Sequence, residues 1–150
     1  MMATATKRVY EVLLVEDEPG DVELAKLALA DSPFSCRVTV AVNGKEAMAM
    51  LRKQPPHADT PTPDLVLLDL NMPQMNGKEV LAAMKAAPEL AGIPVVVLTT
   101  SDVERDVVAT YNLGAAGYIT KPVEMEDLFS AIHEVEAYWF STVRRPQPVR

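Results

Sequence analysis

The chain has 150 residues, 49% hydrophobic and 23% charged, with a net charge of −7; this is the profile of a soluble globular protein long enough to bury one core. The negative balance argues against nucleic acid as the main partner, because phosphate backbones attract basic faces. No apolar stretch approaches the roughly 20 residues that cross a bilayer, and in "MMATATKRVYEVLLVEDE" the apolar run is cut short by acids with no small-residue cleavage site, which argues against a secretory signal.

Short apolar runs alternate with segments of helical periodicity, the pattern of a parallel sheet wrapped by helices. The first strand is expected over residues 10–15, "YEVLLV". A helix follows over 21–31, with Val22, Ala25 and Leu29 on one face and Asp21 or Gly20 as its cap. "CRVTVAV" (36–42) is a mixed strand suited to a sheet edge. It contains the only cysteine, Cys36, which cannot form an internal disulfide; it is expected to pack as a small hydrophobe in a reduced, cytoplasmic setting. The second helix, 43–53, starts at Asn43 and turns Ala47, Met50 and Leu51 inward. Like the first strand, "DLVLLDL" (64–70) and "PVVVLTT" (94–100) are nearly continuous Val and Leu runs, as in strands covered on both faces. Between them, a helix over 77–87 places Val80, Leu81 and Met84 inward and ends before Pro88; Gly77 is expected to relieve a turn at its start. A fourth helix is predicted over 102–113, with Gly114 as its C-terminal cap, then a short edge strand "AGYIT" (116–120). The last helix, 124–140, spaces Met125, Leu128, Ile132, Val135 and Trp139 as one inward stripe.

Five β–α units of this length predict an α/β protein: a doubly wound, flavodoxin-like (βα)5 sandwich whose five-stranded parallel sheet runs in the order 2-1-3-4-5. The domain is expected over 9–140. Residues 1–8 form an N-terminal extension, "KQPPHADTPTP" (53–63) a polar, proline-rich loop, and 141–150 a basic tail.

Ligands of open parallel sheets bind outside the carboxyl ends of the strands. Those ends carry Glu16 and Asp17 after the first strand, Asp69 at the third, Thr99 at the fourth and Lys121 after the fifth. Three carboxylates brought together repel unless a cation intervenes. Oxygen-only ligands suit a hard dication, and Mg2+ keeps waters that a phosphate can replace. A carboxylate beside such an ion can attack a phosphoryl group and become an aspartyl phosphate. Asp69, directly ending the central apolar strand, is the best nucleophile, while Glu16 and Asp17 sit in a loop and are the better metal ligands.

The segments "LLVEDEPGD", "DLVLLDLNMPQMNG", "PVVVLTTS" and "GAAGYITKP" resemble, in order and spacing, those of bacterial response-regulator receiver domains, over about residues 9 to 140. The resemblance implies that Asp69 is the phosphoacceptor, that Glu16 and Asp17 are the acidic Mg2+ pair, and that Asn71 lends the metal its backbone carbonyl. It further implies Thr99 as the switch hydroxyl, Lys121 as the phosphate-pairing lysine, Tyr118 as the switch aromatic, and a cis bond at Lys121–Pro122. In that family phosphorylation draws the hydroxyl to the phosphoryl group and turns the aromatic inward. The face made by the fourth helix, fifth strand and fifth helix then changes its affinity for partners.

Plainer readings stand beside some of these. Asn71 also suits the start of a turn, Thr99 an ordinary strand, Tyr118 a half-buried strand aromatic and Lys121 a solvated charge. Tyr138, Trp139 and Phe140 suit either terminal packing or a dimer or partner patch, since three adjacent aromatics cannot all face one core. His57 and His133 are assigned no function. An aspartate-nucleophile phosphatase of the haloacid dehalogenase type needs an acid where Asn71 stands; in a flavodoxin the "EDEPGD" loop would repel phosphate. A receiver-fold module that signals without phosphorylation is a further reading, though such modules lose acids or lysine that this chain keeps. Ten residues after 140 are too few for an output domain, so a stand-alone signalling protein, itself no enzyme, is expected. The resemblance implies a sensor histidine kinase as partner, and "LTTS" with the long final helix resembles the subgroup paired with bacterial phytochromes.

Overall fold

The computed structural model describes residues 9–70, 75–99, 112, 114–120 and 125–142. Its strands are β1 (Val9–Val15), β2 (Ser35–Ala41), β3 (Leu65–Leu68), β4 (Val95–Thr99) and β5 (Gly117–Thr120). All neighbouring strands pair in parallel, and the order is β2-β1-β3-β4-β5, as the alternating pattern predicts. The described helices are α1 (Pro19–Ala30), α2 (Gly44–Leu51), α3 (Gly77–Ala86) and α4 (Met125–Ala137). The helix expected over 102–113 lies outside the described residues, so α4 is the helix predicted over 124–140. Residues 1–8 and 143–150 also lie outside them.

Side-chain alternation along the strands splits the core into two layers. Leu13, Val15, Val66, Leu68, Val95 and Val97 face α2 and α3, meeting Met48, Leu51, Val80, Leu81 and Met84. Val12, Leu14, Leu65, Leu67, Val96 and Leu98 face α1 and α4, meeting Ala25, Leu29, Leu128 and Ile132. The three central strands are apolar on both sides for this reason. Edge strands β2 and β5 show the mixed burial expected of them.

Local chemistry sets where the helices start. Asn43 caps α2 by accepting from Glu46 N at 2.7 Å, as predicted. At α3 a reciprocal pair forms: Asn76 accepts from Glu79 N, and the Glu79 carboxylate accepts from Asn76 N, a capping box. The prediction for α1 is corrected. Its cap is Glu18, which accepts from Gly20 N at 2.7 Å, rather than Asp21 or Gly20. Pro19, which has no N–H to satisfy, fills the first helical position and moves the start forward.

The inward stripe of α4 is corrected too. Only Met125 leaves it, being 51% exposed; Leu128 and Ile132 are buried and Val135 and Trp139 pack half-buried on the same layer, as predicted, while Glu136 and Phe140 are buried as well. The helix ends in a turn of π-helix, Tyr138–Thr142. That turn divides the three aromatics. Phe140 is buried, stacked on Tyr10 at 4.0 Å between ring centroids, with Phe34 edge-on to both. The Tyr10 hydroxyl donates to Phe140 O at 3.0 Å. Phe140 therefore belongs to the protein's own core rather than to a partner patch, whereas Tyr138 is 54% exposed and Trp139 half-buried. Phe140→Ala is expected to cost on the order of 3 kcal/mol, measured by urea denaturation; unchanged stability would show that the terminal turn contributes nothing.

Cys36 lies on β2 as expected, but its thiol donates to Glu136 Oε2 at 3.3 Å instead of only filling space. The 53–63 loop carries a cis bond at Pro55–Pro56; Lys121–Pro122, for which a cis bond was expected, lies outside the described residues.

Candidate functional site

Backbone register builds the site. Val15 on β1 pairs with Leu68 on β3, so the next residue of each strand, Glu16 and Asp69, leave the sheet side by side. The ladder holds both one step past the strands: Glu16 N donates to Ala41 O at 3.0 Å, and Asp69 N donates to Val15 O at 3.0 Å. Glu18 N donates to Glu16 Oε2 at 3.2 Å, turning the loop toward α1. One carboxylate oxygen from each of Glu16, Asp17 and Asp69 lies within 4.8 Å of the others. Glu16 is 2% exposed and Asp69 6%, while Asp17 is open to solvent.

A second element presses on this cluster. Gly77 begins α3, and its N–H donates to Leu70 O at 3.0 Å. A Cβ placed there would collide with the Asp69 carbonyl oxygen and lie 2.7 Å from Leu70 Cα. The glycine thus allows a close approach of backbone to backbone rather than merely easing a turn. Gly44 does the same for α2, where a Cβ would meet the Met75 carbonyl oxygen; Met75 itself has φ of 76°. For Gly77 a sequence signal was available, since α3 must start against the strand end it has just left; for Gly44 there was none, because its contact is with Met75 and Val80 of the following β–α unit.

The other predicted residues are placed in part. β4 ends at Thr99, whose backbone pairs with Thr120 of β5 at the same end of the sheet. Tyr118 pairs with Val97 and packs, half-buried, on the core layer beneath α3. Asn71 and Lys121 lie outside the described residues. Gly114 adopts φ of 99° and lies against the Lys85 side chain, which donates to Ala91 O at 3.0 Å.

Chemically, this is an all-oxygen donor set with two buried carboxylates and one exposed. Three carboxylates so close repel one another, and a cation among them offsets that repulsion. A hard dication matches the donors, and Asp17 is the one of the three that faces solvent.

Residues 12–133 match the response regulator receiver domain, and the chain belongs to that family. It is similar to response regulator Rcp1 of Synechocystis sp., 43% identical over 135 residues that span 90% of this chain and 92% of that protein. Among solved structures it resembles the phosphorylated cyanobacterial phytochrome response regulator RcpA, with a TM-score of 0.88 and 42% identity over 93% of this chain and 100% of that one. It also resembles the Mn2+-bound form of response regulator Rcp1, with a TM-score of 0.85 and 42% identity over 92% and 99% of the two chains.

Proposed function

We propose that this receiver domain takes a phosphoryl group onto Asp69 from a sensor histidine kinase and uses it to switch partner binding. The observation that carries the reading is the convergence of the Glu16, Asp17 and Asp69 oxygens within 4.8 Å at the carboxyl end of the sheet. Those three side chains, with the Asn71 backbone carbonyl, would hold Mg2+. The ion, when bound, supplies charge neutralisation for the carboxylates and the incoming phosphoryl oxygens.

The step is a phosphoryl transfer. An Asp69 carboxylate oxygen forms the bond to phosphorus as the bond to the kinase histidine nitrogen breaks, and the imidazole leaves with a proton. Lys121 pairs with a phosphoryl oxygen, and the Thr99 hydroxyl donates to another. Tyr118, half-buried beside the core, turns inward behind it. The changed surface is the fourth predicted helix with β5 and α4, where a groove of about 580 Å3 is lined by Tyr118, Ile119, Glu134, Val135, Tyr138 and Trp139. Exposed Tyr138 and half-buried Trp139 support this end as the face for a partner or a second copy of the chain.

The phytochrome response regulators among its relatives support a phytochrome-type kinase as partner. The net charge of −7 supports a protein partner over nucleic acid. Among the described residues no helix is long and apolar enough to cross a membrane, which is consistent with the cytoplasmic setting we assign.

Acetyl phosphate tests the chemistry directly, since its acetate leaves as the phosphoryl group transfers. Intact mass should show one base-labile phosphoryl adduct on wild type with Mg2+, none with a chelator, and none on Asp69→Asn. An adduct that persists on Asp69→Asn would sink the assignment.

A further inference from the structure

At the opposite end of the sheet from the acid cluster, Ile132, Glu136 and Phe140 recur every four residues along α4 and its terminal turn. The middle of these three buried positions is a carboxylic acid with 0% exposure. Its Oε2 accepts from the Cys36 thiol on β2 at 3.3 Å. Its Oε1 is buried with no hydrogen-bond partner. A charge there lacks the hydrogen bonds that ionised carboxylates need away from water, whereas a neutral acid suffers far less.

The surrounding groups do not neutralise it. His133, one turn earlier on α4, has Nε2 3.0 Å from Ala28 O and 3.9 Å from Asp31 Oδ2 at the end of α1. Ser32, in the turn before β2, accepts from Phe34 N at 2.9 Å, and its hydroxyl also bonds the Glu136 carboxyl. Asp64, before β3, adds negative charge that acts on Cys36. On β1, Tyr10 is bonded to the carbonyl of Phe140. Burial pushes the Glu136 carboxyl above the usual glutamate range; the Ser32 hydroxyl, the Cys36 thiol and His133 oppose this only in part. The Cys36 thiol is pushed up to about 12 by burial and by the bond to Glu136, so it stays a donor throughout the neutral range.

We propose that Glu136 is a proton-gated latch: its neutral carboxyl lets the last turns of α4 and the Phe140 clasp sit on β1 and β2, and its ionisation releases them. Because the folded chain holds this proton more tightly than the unfolded chain, the stabilisation is complete below the ordinary glutamate range. It is lost as pH rises through the folded-state value. The latch lies away from the phosphoryl site, and testing it needs neither metal nor phosphodonor.

Trp139 is the only tryptophan, three residues from Glu136 and half-buried, so its emission reports the latch in the full chain. From about pH 4 to 9, a range that brackets the ordinary glutamate pKa, wild-type emission should move to longer wavelength while far-UV circular dichroism changes little. Glu136→Gln should hold the low-pH emission throughout. Cys36→Ala, which removes a donor to the carboxylate, should move the midpoint to higher pH. A transition that survives Glu136→Gln belongs to another group and overturns the proposal, as does a wild type with no transition. Should Glu136→Gln not fold, the Cys36→Ala midpoint decides: an upward shift supports the latch, and an unmoved midpoint overturns it.

Discussion

Gly77→Ala is expected to destabilise the protein by about 3 kcal/mol, at the upper end of overpacking costs, and to remove divalent-ion binding with it. The new Cβ would fall on the Asp69 carbonyl oxygen and within 2.7 Å of Leu70 Cα. Neither atom can yield cheaply. Asp69 N is tied to Val15 O, and Gly77 N is tied to Leu70 O, each at 3.0 Å. Relief must come from moving the start of α3 or the end of β3, and the second displaces the Asp69 carboxylate. Urea denaturation reads the first effect and calorimetric Mg2+ titration the second. Gly92→Ala is the control, because nothing lies within 4 Å of its added Cβ; it should be neutral or slightly stabilising. If Gly77→Ala matches Gly92→Ala in both measurements, the close approach has no role in holding the site.

Asp17→Asn is expected to have two effects of opposite sign. Without metal, removing one of three carboxylates within 4.8 Å of each other relieves repulsion, so the melting temperature should rise. With Mg2+, the lost oxygen charge should weaken binding by on the order of ten- to a hundredfold, at least the loss seen when a supporting residue is removed. A ligand at a hundred times its dissociation constant stabilises by about 2.7 kcal/mol. At Mg2+ in large excess over the wild-type dissociation constant, wild type should therefore gain up to that amount, and Asp17→Asn clearly less. Equal Mg2+-dependent shifts in the two proteins would show that Asp17 is no ligand.

Much of this fold was visible in the chain. The Val and Leu runs marked β1, β3 and β4 as covered on both faces, and five β–α units of ordinary length implied a doubly wound parallel sheet, whose strand order the resemblance to receiver domains supplied. The acid trio was visible as well, because a parallel sheet gathers its carboxyl ends, so residues 16, 17 and 69 had to approach each other whatever filled the core. Position along a helix was harder. Pro19 moved the start of α1, and Met125, read as inward, is exposed. Hydropathy marked Val135, which does pack half-buried on the core, but it gave no sign that Glu136 beside it is buried completely.

The linear chain alone was thus enough for the architecture, for the end of the sheet where the acids gather, and for which acids they are. Periodic burial and strand-end composition are local properties, and parallel topology converts them into location without further information. Only the tertiary structure decided that Gly77 admits α3 to the Asp69 backbone, that Phe140 closes over Tyr10, and that Glu136 is sealed beside Cys36. Those contacts join residues as far as 130 positions apart, and they depend on ångström-scale clearances between elements that no one-dimensional pattern encodes.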